Sequence, residues 1–361
     1  MSFRKTIFAT AALSLAVLAS AGVARAADLP VKAKKPVVDL PFFLLIDDRV
    51  TYSYIFNATD PGVSSRNADG SINAKTVKQV YSFTHFDVWG YGTNFFTISM
   101  YKSDHNDPAN GCTAATFGNC AGATDVYGLF RSTFGWNEIF GTKAFSVGPL
   151  HNISFEIGAD AEVENNALAP AKRDVVAGLQ FGFDLPYKGF FNVAPLAYKE
   201  IQHFSFNQCG VGGIPGVTCT FDGSADFKWT WAVEVNYYMD LGFLPESVRY
   251  FSISGRAGFY GPKGNENAPL NQLNPALQSF GLPTKTEINS EPIRLTFDAA
   301  KAFMGPKYSH FVDVWVAYRY WQNKFGLDHA NSPTCTTGGP GTTSTGSCTE
   351  QSLYAGVTVK F

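Results

Sequence analysis

Charged residues are scarce in this chain. Asp, Glu, Lys and Arg make up 16% of its 361 residues, well below the roughly 25% of ordinary globular domains. The net charge of −2 leaves no basic surplus, which argues against a nucleic-acid partner and against polybasic attachment to a membrane surface. Beyond the N-terminus, no apolar run is long enough for a transmembrane helix.

Sequence signatures of common catalytic and cofactor sites are also missing. We find no metal-ligand spacing, phosphate loop or dinucleotide fingerprint, and no Gly-flanked serine that resembles a nucleophile elbow. The best histidine constellation is His85 with Asp87 on one strand face, and such a pair is more often a hydrogen-bonded pair than half of a catalytic group. We therefore expect no enzyme activity, no cofactor and no metal, with a lipid-acting enzyme as the least favoured alternative.

The N-terminus has the pattern of a secretory signal peptide. Arg4 and Lys5 precede an apolar run from Ile7 to Leu18, and Ala24-Arg25-Ala26 forms a small-residue cleavage site. We predict a signal peptide over residues 1–26, a flexible periplasmic leader over 27–41, and one domain over 42–361.

The cysteines form three near-neighbour pairs in Gly-, Thr- and Asn-rich stretches: Cys112 with Cys120, Cys209 with Cys219, and Cys335 with Cys348. Loop closure favours near neighbours, and an oxidising compartment lets disulfides persist. We expect three local disulfides, each contributing about 2–3 kcal/mol. A zinc site is the competing interpretation, but these spacings match no zinc motif.

Aromatic residues and glycine are abundant, and segments of alternating apolar and polar residues recur along the chain. Alternation at period two marks a strand with one apolar and one polar face. Gln351–Phe361 shows this pattern most clearly. The segments that qualify as strands are 49–57, 76–88, 94–104, 124–134, 149–162, 172–184, 189–204, 225–240, 248–260, 286–299, 309–322 and 349–361.

Connections between these segments alternate in length. Long polar stretches such as 57–74 and 323–350 follow odd-numbered strands, and short ones such as 89–93 and 184–189 follow even-numbered strands. An even strand number with long loops on one rim is typical of outer-membrane barrels. The sequence therefore predicts an all-β fold, a transmembrane antiparallel β-barrel of about 12 strands with long extracellular loops and short periplasmic turns. A soluble β-sandwich gives no reason for this alternation.

Strand faces can be assigned because a charge on the lipid face costs about 2–4 kcal/mol at the membrane midplane. The second strand is assigned to lipid through Val80, Phe86 and Val88, and the eighth through a set that begins with Phe227 and Trp229. The residues predicted to line the lumen and contact solute are Tyr81, Phe83, His85, Asp87, Glu156, Asp160, Glu234, Arg256, Arg294, Asp313 and Arg319. The alternative is that opposite charges pair across the lumen and only fill it.

A family resemblance runs diffusely along most of the chain. It is carried by Val50–Tyr54, Phe83–Phe96, Val147–Leu150, Phe183–Pro186, Leu196–Glu200 and Tyr318–Trp321. Through these segments the chain resembles the Tsx-type nucleoside-specific outer-membrane channels and related bacterial outer envelope proteins. The resemblance implies a monomeric barrel whose narrow, partly aromatic channel binds and passes nucleosides. The three cysteine pairs depart from that family.

We predict a channel for passive uptake of small hydrophilic solutes, most of all nucleosides, in the outer membrane of a Gram-negative bacterium. Aromatic lumen residues would stack on the base, and charged residues would hydrogen-bond the sugar hydroxyls. The expected partners are outer-membrane lipid, a nucleoside-like solute, and the barrel assembly machinery, which would recognise Phe361. Alternatives are a general diffusion porin and a structural or adhesive barrel with a plugged lumen.

Overall fold

The computed structural model describes residues 41–62, 65–66, 71–107, 109, 121–165, 170–204, 224–265, 282–337 and 341–361. Phe42–Phe361 forms one compact unit. Several predictions fall outside the described residues: the signal peptide, the leader up to residue 40, the cysteines Cys112, Cys120, Cys209 and Cys219, and a helical turn that the Ala/Leu/Gln composition of 269–280 indicates.

Within these ranges, long antiparallel strands make up most of the structure. They are β1 Phe43–Ala58, β2 Thr76–Trp89, β3 Gly92–Ser103, β4 Thr124–Gly135, β5 Leu150–Glu164, β6 Pro170–Leu185, β7 Gly189–Phe204, β8 Thr230–Asp240, β9 Phe251–Tyr260, β10 Glu287–Asp298, β11 Val312–Gln322 and β12 Thr349–Lys360. Neighbours in sequence pair with each other, and β12 pairs with β1 through Val359 with Val50. The sheet therefore closes on itself, which satisfies the backbone of every strand and leaves no open edge.

Shorter strands and helices lie beside the long barrel strands or connect them. Ser224–Asp226 extends the pairing beside β7, and Ser65–Arg66 pairs with Ile72–Asn73. The helices are α1 Trp136–Phe140 and α2 Ala299–Met304, with 3₁₀ turns at Glu246–Val248, Pro306–Tyr308 and Lys324–Gly326.

None of the helices in the described ranges has the length and apolar character of a membrane-spanning helix.

The predicted closed barrel and all of its strands are confirmed, and the two largest differences in extent concern the first and eighth strands. β1 begins at Phe43, six residues before the predicted position 49, and the predicted strand 225–240 is divided into Ser224–Asp226 and β8. At the division, the Phe227 side chain is buried at 1% exposure, whereas Lys228 is exposed. The predicted lipid-facing position of Phe227 is therefore wrong.

The rims differ less than the sequence indicates. We call the end that carries 59–75, 104–123, 205–229, 261–286 and 323–348 the loop end, and the opposite end, where β1 begins and β12 ends, the terminal end. The third loop-end connection is only 165–169, because β5 and β6 extend towards it. Tight turns occur at the terminal end at 90–91 and 186–188, but 136–149 and 299–311 each hold a short helix.

Opposite faces of the strands have opposite character, as β5 illustrates. Phe155 and Ile157 are 48% and 46% exposed on the outside, while Glu156 and Asp160 are 3% and 6% exposed on the inside. β11 repeats this pattern with Val316 outside and Trp315 inside. An apolar outer surface around a polar interior is the arrangement of a membrane-spanning barrel.

Strand β2 reverses the predicted assignment. Val80 packs inside the barrel against Ile55, Trp315 and Tyr354, so its even-numbered neighbours Phe86 and Val88 also face inward. Tyr81 is paired with Tyr52 and exposed on the outer surface. The prediction failed because both faces of β2 carry apolar residues, and part of the lumen wall is itself apolar.

Candidate functional site

Cross-strand pairing fixes which predicted site residues face the lumen, since directly paired residues point to the same side. Register places seven of them inside: Glu156, Asp160, Glu234, Arg256, Arg294, Asp313 and Arg319. It places four outside, on the face of Phe96, Ile98 and Met100: Tyr81, Phe83, His85 and Asp87. The lumen positions predicted for those four residues are therefore wrong. The inner-face aromatics in this region are Phe86 and Phe95.

A network centred on Arg131 crosses the middle of the lumen. Its guanidinium donates to Glu234 of β8 over 2.7 and 2.9 Å and to Asp160 of β5 over 2.5 Å. Because β5, β6 and β7 lie between β4 and β8, the pair with Glu234 spans the interior. Tyr260 also donates to Glu234, over 3.1 Å. Sequence reasoning missed Arg131, although it is a charged residue in an otherwise mostly uncharged strand.

Three arginines on adjacent strands form what we call the arginine patch: Arg256 of β9, Arg294 of β10 and Arg319 of β11. Arg294 donates to both oxygens of Glu291, over 2.6 and 3.1 Å, and its guanidinium lies 3.8 Å from the centre of the Trp315 ring. Arg319 lies 3.6 Å from Glu350. Arg256 is exposed and forms no hydrogen bond or ion pair within the described ranges.

Nearer the loop end, lysines and carboxylates pair in buried positions. Lys324 lies 2.6 Å from Glu350, Lys172 lies 3.1 Å from Asp174, and Lys263 bonds Glu200. Lys263 also lies 4.6 Å from the centre of the Phe227 ring, which explains why that phenylalanine turns inward. Paired charges of this kind are tolerated only because each is matched. They fill this level of the barrel.

One carboxylate cluster at the loop end could hold a divalent cation. Carboxylate oxygens of Asp60, Asp107 and Glu164 lie within 4.8 Å of one another, and oxygen donors suit calcium or magnesium. Lys78 already lies 2.9 Å from Asp60. Burial raises the pKa of Asp60 to about 7, with the Lys78 charge opposing the rise.

The terminal end holds a second polar cluster around His310. Its Nδ1 lies 3.1 Å from both Asp313 oxygens, and its Nε2 lies 3.2 Å from the Tyr238 hydroxyl. The hydrogen bond to Asp313 raises the pKa of His310. His310, Asp240 and Asp298 line a cavity of about 400 Å³ at this rim. Ser309 and the backbone of His310 donate to Asp298, so this cluster is internally satisfied.

His85 and Asp87 do contact each other, but on the outer face. Asp48 lies 2.6 Å from His85 Nδ1 and Asp87 lies 3.1 Å from Nε2. Asn94 extends this series of hydrogen bonds, because it donates to Asp87 over 2.9 Å and accepts from Ser132 over 2.6 Å. Carboxylates engage both ring nitrogens, and no described serine contacts His85. This geometry gives no support to a lipid-acting enzyme built on His85.

The Cys335–Cys348 disulfide is confirmed. The two Cα atoms are 5.5 Å apart across a sequence separation of 13, and both cysteines are buried against Leu327. The bond therefore ties the last loop-end connection to itself, next to the start of β12.

No protein-family model matches the chain, and no curated protein matches it. Several solved structures do. The COG4313 outer membrane channel from Pseudomonas putida F1 is 10% identical, with a TM-score of 0.43 over 89% of this chain and 97% of that one. The translocator domain of autotransporter NalP from Neisseria meningitidis is 10% identical, with a TM-score of 0.38 over 88% of each chain. The outer membrane protein opdK from Pseudomonas aeruginosa is 8% identical, with a TM-score of 0.31 over 88% and 98%.

Proposed function

We propose that this chain is a passive channel for small hydrophilic solutes in an outer membrane. The observation that supports this proposal most strongly is that side chains on the inner face remain exposed in the middle of the barrel. Arg256 is exposed there, and Phe95, which pairs with inward-facing Arg131, is 36% exposed. A barrel interior packed throughout would bury both side chains, as small eight-stranded barrels do.

Nucleosides are the specific solutes that we propose. The family resemblance supports this choice, but the stacking residues must differ from those expected from the sequence. Phe86 and Phe95 are the candidates to stack on a base, in place of Tyr81 and Phe83 on the outer face. Arg256 and Glu234 lie on the adjacent strands β9 and β8, two residues apart in register, and would hydrogen-bond sugar hydroxyls from the same side of the passage.

The cellular setting completes this proposal. The pattern of residues 1–26 supports export through a cleaved signal peptide, followed by a periplasmic leader over 27–41. The terminal end would then face the periplasm and the loop end the exterior. We propose a monomer in outer-membrane lipid, inserted by the barrel assembly machinery through Phe361.

Single-channel recording in a planar bilayer tests the function. We expect steady conductance that nucleosides block and that sugars and amino acids leave unchanged. Phe95→Ala should weaken nucleoside block, while Tyr81→Ala, the same kind of truncation on the outer face, should not. Conductance without nucleoside block would favour a general diffusion porin. A refolded protein with no conductance contradicts the proposal and favours a structural or adhesive barrel.

A further inference from the structure

We propose that the arginine patch is a binding site for organic oxyanions, so that the lumen prefers solutes carrying a phosphate or carboxylate to neutral solutes of similar size. The inference deepens the proposed channel function and rests on it for the route by which solute arrives. Its core is the guanidinium of Arg256, which is exposed and has no hydrogen-bond or ion-pair partner among the described residues.

Strand pairing makes the three arginines one continuous surface. Arg256 pairs directly with Glu291, and Arg294 pairs with Ser254, two residues from Arg256 on the same strand face. Arg319 lies opposite the irregularity between Ser290 and Ile293, which brings it to the other side of Glu291. Glu291 is therefore surrounded by the patch.

The carboxylates near the patch are already engaged. Both oxygens of Glu291 accept from Arg294, and among the described residues no hydrogen bond joins Glu291 to Arg256. Glu350, the neighbour of Arg319, is 1% exposed and bound by Lys324 over 2.6 Å. Glu350 is thus shared by Lys324 and Arg319, and Glu291 is held by Arg294, while Asp125 and Glu162 are further carboxylates within electrostatic reach of Arg319. Among the described residues, Arg256 is the member of the patch without a hydrogen bond or ion pair, and its side chain is exposed.

Aromatic packing holds two of the three guanidinium groups in place, those of Arg294 and Arg319. Trp315, beneath Arg294, donates to Thr358 over 3.0 Å and lies over Gly356, where a Cβ would come within 2.4 Å of the ring. Arg319 lies 4.8 Å from the centre of the Trp321 ring, and Trp321 donates to Glu287 over 2.8 Å. Guanidinium groups fixed in this way are suited to bidentate recognition of phosphate or carboxylate.

The surrounding inner surface reinforces the preference. Glu156 and Asp160 are only 3% and 6% exposed, so their charges lie behind the water-contacting surface. Glu234 is more accessible, but Arg131 and Tyr260 both donate to it. At this level the Arg256 guanidinium is exposed to solute, whereas the carboxylates of Glu156, Asp160 and Glu234 are buried or hydrogen-bonded.

The first test is ion selectivity. In a salt gradient, the reversal potential of the wild-type channel should indicate anion preference, and Arg256→Gln should reduce the anion-to-cation permeability ratio by roughly threefold to tenfold. Arg256→Lys should retain most of it. Arg173→Gln, which removes an exposed arginine that pairs with outward-facing Ala161, should change nothing. Cation preference in the wild type would overturn the inference while leaving the channel function intact.

The second test measures binding without relying on conductance. Uridine and uridine 5′-monophosphate share a base and sugar and differ by one phosphate, and Trp315 lies beside the patch. Tryptophan fluorescence of detergent-refolded protein should saturate at lower concentration with the monophosphate, and Arg256→Gln should abolish this difference. Equal binding of the two compounds would contradict the oxyanion site. Selective binding by a protein that conducts no current would instead contradict the proposed channel.

Discussion

Two levels of the lumen use charge in opposite ways. Near the loop end, lysines such as Lys324 and Lys263 are buried at 2% and 3% exposure and each meets a carboxylate. In the middle, arginine replaces lysine, and Arg256 is exposed without a hydrogen-bond or ion-pair partner in the part of the chain that the structure describes. The level near the loop end resembles a protein core built from ion pairs, and the middle level resembles a binding surface. The barrel thus separates charges that hold structure from charges that are available to solute.

The residue types fit this division. A lysine ammonium is a compact point charge that a buried carboxylate and a few backbone oxygens can match, as Lys324 is matched by Glu350 and the Thr59 carbonyl. A guanidinium presents a planar fork that can bind one partner and stack on a ring at once. Arg294 does both with Glu291 and Trp315. Removing a charge should therefore reduce stability at the first level and selectivity at the second.

The largest expected effect comes from Lys324→Met. It leaves the buried Glu350 without its closest cation, with Arg319 at 3.6 Å and hydrogen bonds from Ser352 and the Thr59 backbone remaining. Breaking one side of a buried pair costs about 3–5 kcal/mol. Urea-induced unfolding in detergent or liposomes measures the loss. The control is Lys285→Met, since Lys285 is 51% exposed beside Asp328 and such pairs contribute about 0–1 kcal/mol. An equal loss of unfolding free energy in the two variants would contradict the structural role assigned to the buried lysines near the loop end.

The disulfide at the loop end should contribute less. Replacing both Cys335 and Cys348 by serine should lower the free energy of unfolding by about 2–3 kcal/mol, since the closed loop is short. Ion selectivity should not change, because the cysteines pack against Leu327 rather than the arginine patch. Wild-type protein unfolded with and without reductant gives the same comparison without mutation. A shift in reversal potential on reduction would show that the two levels are coupled.

Arg256→Gln tests the middle level of the lumen, where we expect a change in selectivity and little change in stability. An exposed, unpaired side chain contributes little to folding, so the variant should unfold within about 0.5 kcal/mol of the wild type. Its permeability ratio should nevertheless change, as argued for the arginine patch. Unfolding curves recorded on the same preparations used for selectivity measure both quantities. A destabilisation as large as that of Lys324→Met would assign Arg256 to the structural level instead.

Much of this division was visible in the sequence, and some of it could not be. β5 keeps one face apolar and the other polar throughout, so its inward carboxylates Glu156 and Asp160 could be assigned from alternation alone. β2 mixes apolar and polar residues on both faces, and its outward His85 is satisfied by Asp48 from another strand. Arg131 of β4 hydrogen-bonds Glu234 of β8, although three strands lie between β4 and β8 in the sheet. Pairings of this kind depend on closure of the sheet, which local pattern does not encode.

The smallest effect is a pH dependence at the terminal end. His310 lies outside the strands among Asp313, Asp298, Asp240 and Tyr238, and its hydrogen bond to Asp313 raises its pKa. A raised pKa means that the charged histidine stabilises the fold fully below the unfolded value of about 6.5, and that this contribution is lost as pH rises through the folded value. Stability should therefore fall slightly above neutral pH. His310→Asn keeps a side chain that tolerates the local φ of 60° and should flatten the dependence when unfolding is measured at several pH values. Persistence of the full dependence in that variant would assign it to another group, of which Asp60 at the loop end is the first to examine, because its pKa of about 7 lies in the same range.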